Sequence, residues 1–211
     1  MCSSPLGLRA NDSKEEFFME RKMDTRAMVT GAILTALVVV LQYVANYVKI
    51  GPFPITLVQI PIIIGVAVGG IGMGAWLGAV FGFVVLISGA GEPFFTLNPL
   101  ATILICMAKG IACGAMAGVV YKLVSKWNRY GAVITAAVVS PIVNTGIFFL
   151  GCTAFFMDTV RTWTQAAGMG DNVAGYMFLG LAGINFLLEL GSNILLSPLA
   201  VRLLQIRKNQ Q

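Results

Sequence analysis

The feature that most restricts this chain is the length of its uncharged apolar runs. Met28–Val48 and Gly131–Phe156 contain no Asp, Glu, Lys or Arg. An apolar run of 18 or more residues reads as a membrane span. Backbone polar groups cannot face lipid unpaired, so spans are helices or the strands of a closed barrel. Barrel strands are about 10 residues of strict alternation, and these runs are longer and continuous. Composition agrees, with 57% hydrophobic and 11% charged residues against about 25% charged in soluble domains. The expected fold is an all-α integral membrane protein.

Prolines and glycines divide the apolar sequence into six predicted transmembrane helices, at about 26–48, 55–68, 73–88, 98–122, 131–157 and 173–204. Gly51, Pro52 and Pro54 end the first, and Gly69–Gly72 make a tight turn between the second and third. Loops are expected at Gly89–Leu97, Leu123–Tyr130 and Asp158–Asn172. Residues 1–24 form a polar tail, expected to be cytoplasmic and mostly disordered. Residues 25–204 form the membrane domain, and 205–211 a second cytoplasmic tail. The first apolar run is too long for the core of a cleavable signal peptide. Met19 or Met23 would serve as a native start just before the basic lead-in.

Charge sets the orientation. With the N-terminus inside, the cytoplasmic side receives Arg9, Lys14, Arg21, Lys22, Arg26, Lys122, Lys126, Arg129, Arg202, Arg207 and Lys208, and the outer side only Lys49 and Arg161. Cytoplasmic loops collect Lys and Arg, so both ends are expected in the cytoplasm. The net charge of +5 is then an orientation signal, and no nucleic-acid partner is expected. Gly70, Gly74, Gly78 and Gly82 recur every four residues, as do Gly110, Gly114 and Gly118. Such ridges let helix backbones approach closely in lipid, and packing within the chain is the expected use.

Several chemistries are excluded. The chain has no histidine, so Ser88 has no such base and no histidine metal site exists. No phosphate-cradling G-x-x-x-x-G-K-[ST] and no H-E-x-x-H is present. Cys106 and Cys113 share a helix face and are read as small apolar packing residues; zinc-type spacing is absent. No enzyme, cofactor or metal is expected. Ionisable residues inside a membrane are costly and mark function. Two occur, Lys109 and Glu189, and Asn144 adds a third polar group. At about 1.5 Å per residue, all three lie roughly 16–20 Å below the outer ends of their helices. Asn185 and Asn193 flank Glu189 on one face. These groups make a polar pocket or a structural tie between Lys109 and Glu189, and the two readings are compatible. A lysine there suits a carboxylate or phosphate. Glu92, Asn98, Trp163 and Gln165 in the outer loops are candidates for a lid.

The order and spacing of several stretches resemble the substrate-binding S components of energy-coupling factor (ECF) transporters, over about 24–204. They are AILTALVVVL with Ala32 and Ala36, Pro54–Val84, Met107–Leu123, VNTGIFFLG (Val143–Gly151) and Asn185–Leu204. The resemblance implies a vitamin-capturing subunit in a prokaryotic cell membrane, with a site opening outward. It implies a membrane-embedded coupling (T) subunit and two ATPase subunits as partners, with Ala32 and Ala36 on the docking face. It puts Asn144, Asn185 and Glu189 in the pocket wall, with Lys109 about one residue from a basic position of similar proteins; Thr145 and Asn98 complete the expected substrate-binding set. Ile55–Pro61 and the Asn144–Thr145 pair look most like the pantothenate and hydroxymethylpyrimidine branch. Pantothenate ranks first, then hydroxymethylpyrimidine or riboflavin. A structural or assembly protein without a ligand is the alternative.

Overall fold

The computed structural model describes the backbone of residues 6–47, 49–50, 53–54, 57–181 and 183–209; the side chains of 6–24, 26, 49–50, 53–54, 184 and 203–209 are outside that description. Helix α1 spans Leu6–Ala45, so helical backbone begins well before Arg26. Of the tails expected at 1–24 and 205–211, residues 1–5 and 210–211 lie outside the described residues, and the backbone of 6–24 and 205–209 is helical. Gly31, Leu34, Val38, Gln42 and Ala45 are buried along one stripe of α1, whereas Ala32, Ile33, Ala36, Leu37 and Val40 face outward. That three-to-four-residue spacing is one face of a helix. A two-residue antiparallel pairing follows, β1 (Lys49–Ile50) with β2 (Phe53–Pro54).

Helix α2 spans Gln59–Ile87 as two helical arms that meet at a kink at Gly70, where φ is 70° and ψ is −158°. Only glycine adopts that conformation freely. The chain doubles back there. A Cβ on Gly65 would strike Leu77, and one on Gly74 would strike Val66, although residues 12 apart on a straight helix stand about 18 Å apart. The tight turn expected at Gly69–Gly72 is thus present as a reversal at Gly70 between two helical arms.

Helices α3 (Glu92–Phe95), α4 (Pro99–Val124) and α5 (Arg129–Phe155) follow. The second arm of α2 packs on α4 backbone to backbone. A Cβ on Gly78 would land on the Gly110 carbonyl, one on Gly114 on the Gly74 carbonyl, and one on Gly82 on the Cys106 carbonyl. Both glycine ridges are thus consumed within the chain, as expected. Approach this close gains dispersion and Cα–H···O contacts that lipid cannot supply.

Two expectations are corrected. The loop at Asp158–Asn172 contains a ten-residue helix, α6 (Met157–Ala166), which buries Val160 and Thr164. The last span is not one helix. It runs as α7 (Val173–Tyr176), a π-helical segment Met177–Leu181, then α8 (Gly183–Asn209), bent by 46°. Glycine permits the bend, since a Cβ on Gly183 would collide with the Phe178 carbonyl. Among the described residues, four helices are long and apolar enough to cross a membrane, or five counting this bent pair as one span.

Replacing Gly78 by Leu should lower the thermal midpoint of the detergent-purified protein, by about 1–3 kcal/mol of overpacking. Gly72→Ala should leave it unchanged, because nothing lies within 4 Å of a Cβ there. Equal tolerance at both positions would show that the ridge is not close-packed.

Candidate functional site

A cavity of about 100 Å³, open at its mouth, sits at one end of the bundle. Its wall comes from Gln42 near the end of α1, Phe81 and Val85 on α2, Phe94 on α3, and Thr102, Ile105, Cys106 and Lys109 on α4. It is completed by Asn144, Thr145, Phe148, Cys152 and Phe156 from α5 and its end, and by Leu181, Asn185, Phe186 and Glu189 around the bend into α8. The antiparallel order of these helices brings the C-terminal half of α5 beside the N-terminal halves of α4 and α8.

Five of the six residues singled out from the sequence line this one cavity: Lys109, Asn144, Thr145, Asn185 and Glu189. Asn98 does not line it. It caps α4, its side chain accepting from the Ala101 N–H at 3.2 Å, which satisfies one of the open donors of a helix N-terminus. Glu189 is only 7% exposed and Asn144 8%. The Lys109 ammonium lies over two aromatic faces, 5.6 Å from the Phe148 centroid and 5.8 Å from that of Phe81. Such contacts grow to about 2 kcal/mol when the cation is desolvated. They hold the lysine head in the wall and partly replace its lost hydration.

Aromatic rings cluster around Phe94 in the cavity wall, with Trp163 among them. Phe94 packs against Phe148, Phe156 and Trp163 at centroid distances of 5.7, 4.9 and 5.4 Å. Glu92, Asn98 and Gln165 are exposed. Sequence reasoning missed Phe94 and Phe156, because one aromatic in an apolar sequence looks like any other. It also missed Gln42, although a carboxamide deep in an uncharged run was a readable signal.

Beneath the acidic residue, Asn193 is 1% exposed and ties three helices together. Its Nδ2 donates to Oε1 of Gln59 on α2 and to the Ala137 carbonyl on α5 at 3.3 Å. That carbonyl needs a partner: Pro141, four residues on, has no N–H to give it. The same solution recurs in α8, where Pro198 frees the Ile194 carbonyl and the Ser197 hydroxyl donates to it at 2.7 Å. Asn193, read from the sequence as a neighbour of Glu189 on one face, is a structural donor under the cavity.

Asn193→Leu should destabilise the protein by about 1–3 kcal/mol, since it strands two buried acceptors. The loss should shrink in a Pro141→Ala background, where residue 141 regains the N–H that serves Ala137. Additive losses in that double-mutant cycle would separate Asn193 from the proline break.

No curated protein matches this chain. A family model described as ECF transporter, substrate-specific component, matches residues 26–201. That match takes in α2, α4 and α5 whole and reaches Val201 in α8, so it spans every helix that lines the cavity. The chain belongs to the ECF transporter substrate-specific component family.

Proposed function

We propose that this protein is the high-affinity substrate-binding subunit of an ECF transporter in a prokaryotic plasma membrane, capturing a vitamin or vitamin precursor from outside for ATP-driven uptake. The observation that carries the reading is the cavity. Polar side chains from α1, α4, α5 and α8 converge on one volume inside an otherwise apolar bundle. Intramembrane polar groups are expensive unless used. A purely structural protein has no need of a polar-lined chamber among its apolar helices.

In this reading the chain crosses the bilayer six times, the two arms of α2 counting separately, and both ends lie in the cytoplasm. The outer side then carries the cavity mouth, with α3 and α6 beside it. Lys109, Asn144, Thr145, Asn185 and Glu189 contact the substrate, and Asn98 acts by anchoring the start of α4. Pantothenate, hydroxymethylpyrimidine and riboflavin are the candidate ligands; Lys109 suits the carboxylate of the first. Family members work with a membrane T subunit and ATPase subunits. Ala32 and Ala36 are exposed on the outward face of α1, where two small side chains leave room for another helix to dock.

The purified protein, heated with each candidate in turn, should show a dose-dependent rise in melting temperature with one of them, because a ligand specific to the native state stabilises it by mass action. Ala36→Trp should keep that rise while abolishing cellular uptake. Uptake that survives Ala36→Trp would remove α1 as the docking face. No shift with any candidate would favour a protein without a vitamin ligand.

A further inference from the structure

Gln42 is the buried polar residue that the cavity leaves least explained. It is 0% exposed, and among the described residues neither Oε1 nor Nε2 has a hydrogen-bond partner. Both atoms therefore lose water without recovering a bond, which natural structures rarely tolerate without a reason. Packing does not supply one. The other buried positions on this face of α1 are Gly31, Leu34, Val38 and Ala45, and an apolar side chain of similar volume would fill the space. Gln42 does line the cavity. Across it on α5, the Oδ1 of Asn144 is likewise buried without a partner.

A carboxamide presents a carbonyl and an NH₂ side by side in one plane. It is best met by a partner that offers an adjacent acceptor and donor in a plane, as when Asn or Gln pairs with the edge of adenine. Building on the binding-subunit reading above, we propose that Gln42 is a ligand-contacting, specificity-determining residue, and that the ligand is a planar heteroaromatic whose edge carries an adjacent donor and acceptor. A 4-aminopyrimidine has such an edge, and so does the imide end of a flavin ring. The acyclic amide of pantothenate does not, because a trans amide points its N–H and C=O in opposite directions.

Two further features agree. Phe81, Phe94, Phe148, Phe156 and Phe186 all line the cavity, and flat rings pack on a planar ligand in offset or edge-to-face arrangements. Lys109 and Glu189 bring opposite formal charges to the same wall, so a ligand without net charge leaves neither sign in excess.

Calorimetric titration of the full-length protein with hydroxymethylpyrimidine, riboflavin and pantothenate tests this. One of the two ring compounds should bind at least about tenfold more tightly than pantothenate. Gln42→Met should weaken that ring compound by about 10–100-fold, the equivalent of losing one or two buried hydrogen bonds. The melting temperature of the ligand-free variant should stay the same or rise. Pantothenate binding tightest, or ring affinity unchanged in Gln42→Met, would overturn this inference and leave the binding-subunit reading standing. Lower ligand-free melting temperatures for both Gln42→Met and Gln42→Leu would also overturn it, by making Gln42 structural. If none of the three probes binds, the ring assignment fails, and failure to co-purify ATPase subunits as well would take the underlying reading with it.

Discussion

The contact between the second arm of α2 and α4 governs the rest of this architecture. Gly74, Gly78 and Gly82 meet Gly114, Gly110 and Cys106 with no side chain between the backbones. In lipid there is no hydrophobic force to drive two apolar helices together, so close backbone contact has to do it. The cavity wall is built on the same turns. Phe81 and Val85 flank Gly82, and Cys106 and Lys109 flank Gly110, so the ridge fixes where the lysine head meets the Phe81 ring. A wider separation would open the wall as well as loosen the pair.

Polar groups inside the bundle follow two patterns with different consequences. Asn193 and Ser197 donate to carbonyls that Pro141 and Pro198 leave open, Asn193 across helices and Ser197 within its own. Gln42 and Asn144 keep buried atoms without partners among the described residues, and both line the cavity. The first pattern stabilises the fold. The second costs stability, and native proteins keep such costs at sites that do something else. Asn193 thus braces helices under the cavity, while Gln42 and Asn144 in its wall keep buried polar atoms unpaired among the described residues.

Much of this was legible in the sequence, for identifiable reasons. Charge-free runs and glycine spacing depend on local composition, so the membrane helices and the ridge contact could be read directly. Lys109, Asn144 and Glu189 stood out because ionisable and amide groups are rare in such runs, and simple helical rise put them at one depth. The family resemblance also held, with the match over 26–201. What escaped detection depends on tertiary context. The bend before α8 arises from backbone crowding at Gly183, which no periodicity records. α6 was hidden in a polar, glycine-containing stretch read as loop. Asn98 looked like a lid residue because an N-cap and an exposed ligand contact have the same sequence signature.

The central claim is that the cavity is where this family member holds its substrate. Equilibrium binding of the vitamin panel to the purified protein and to Thr145→Trp, a substitution that fills the chamber from α5, tests it most directly. The account predicts saturable binding of one ligand per chain to the parent protein and none to the variant, with the variant still folded in detergent. Binding that survives the filled chamber at unchanged affinity would contradict it.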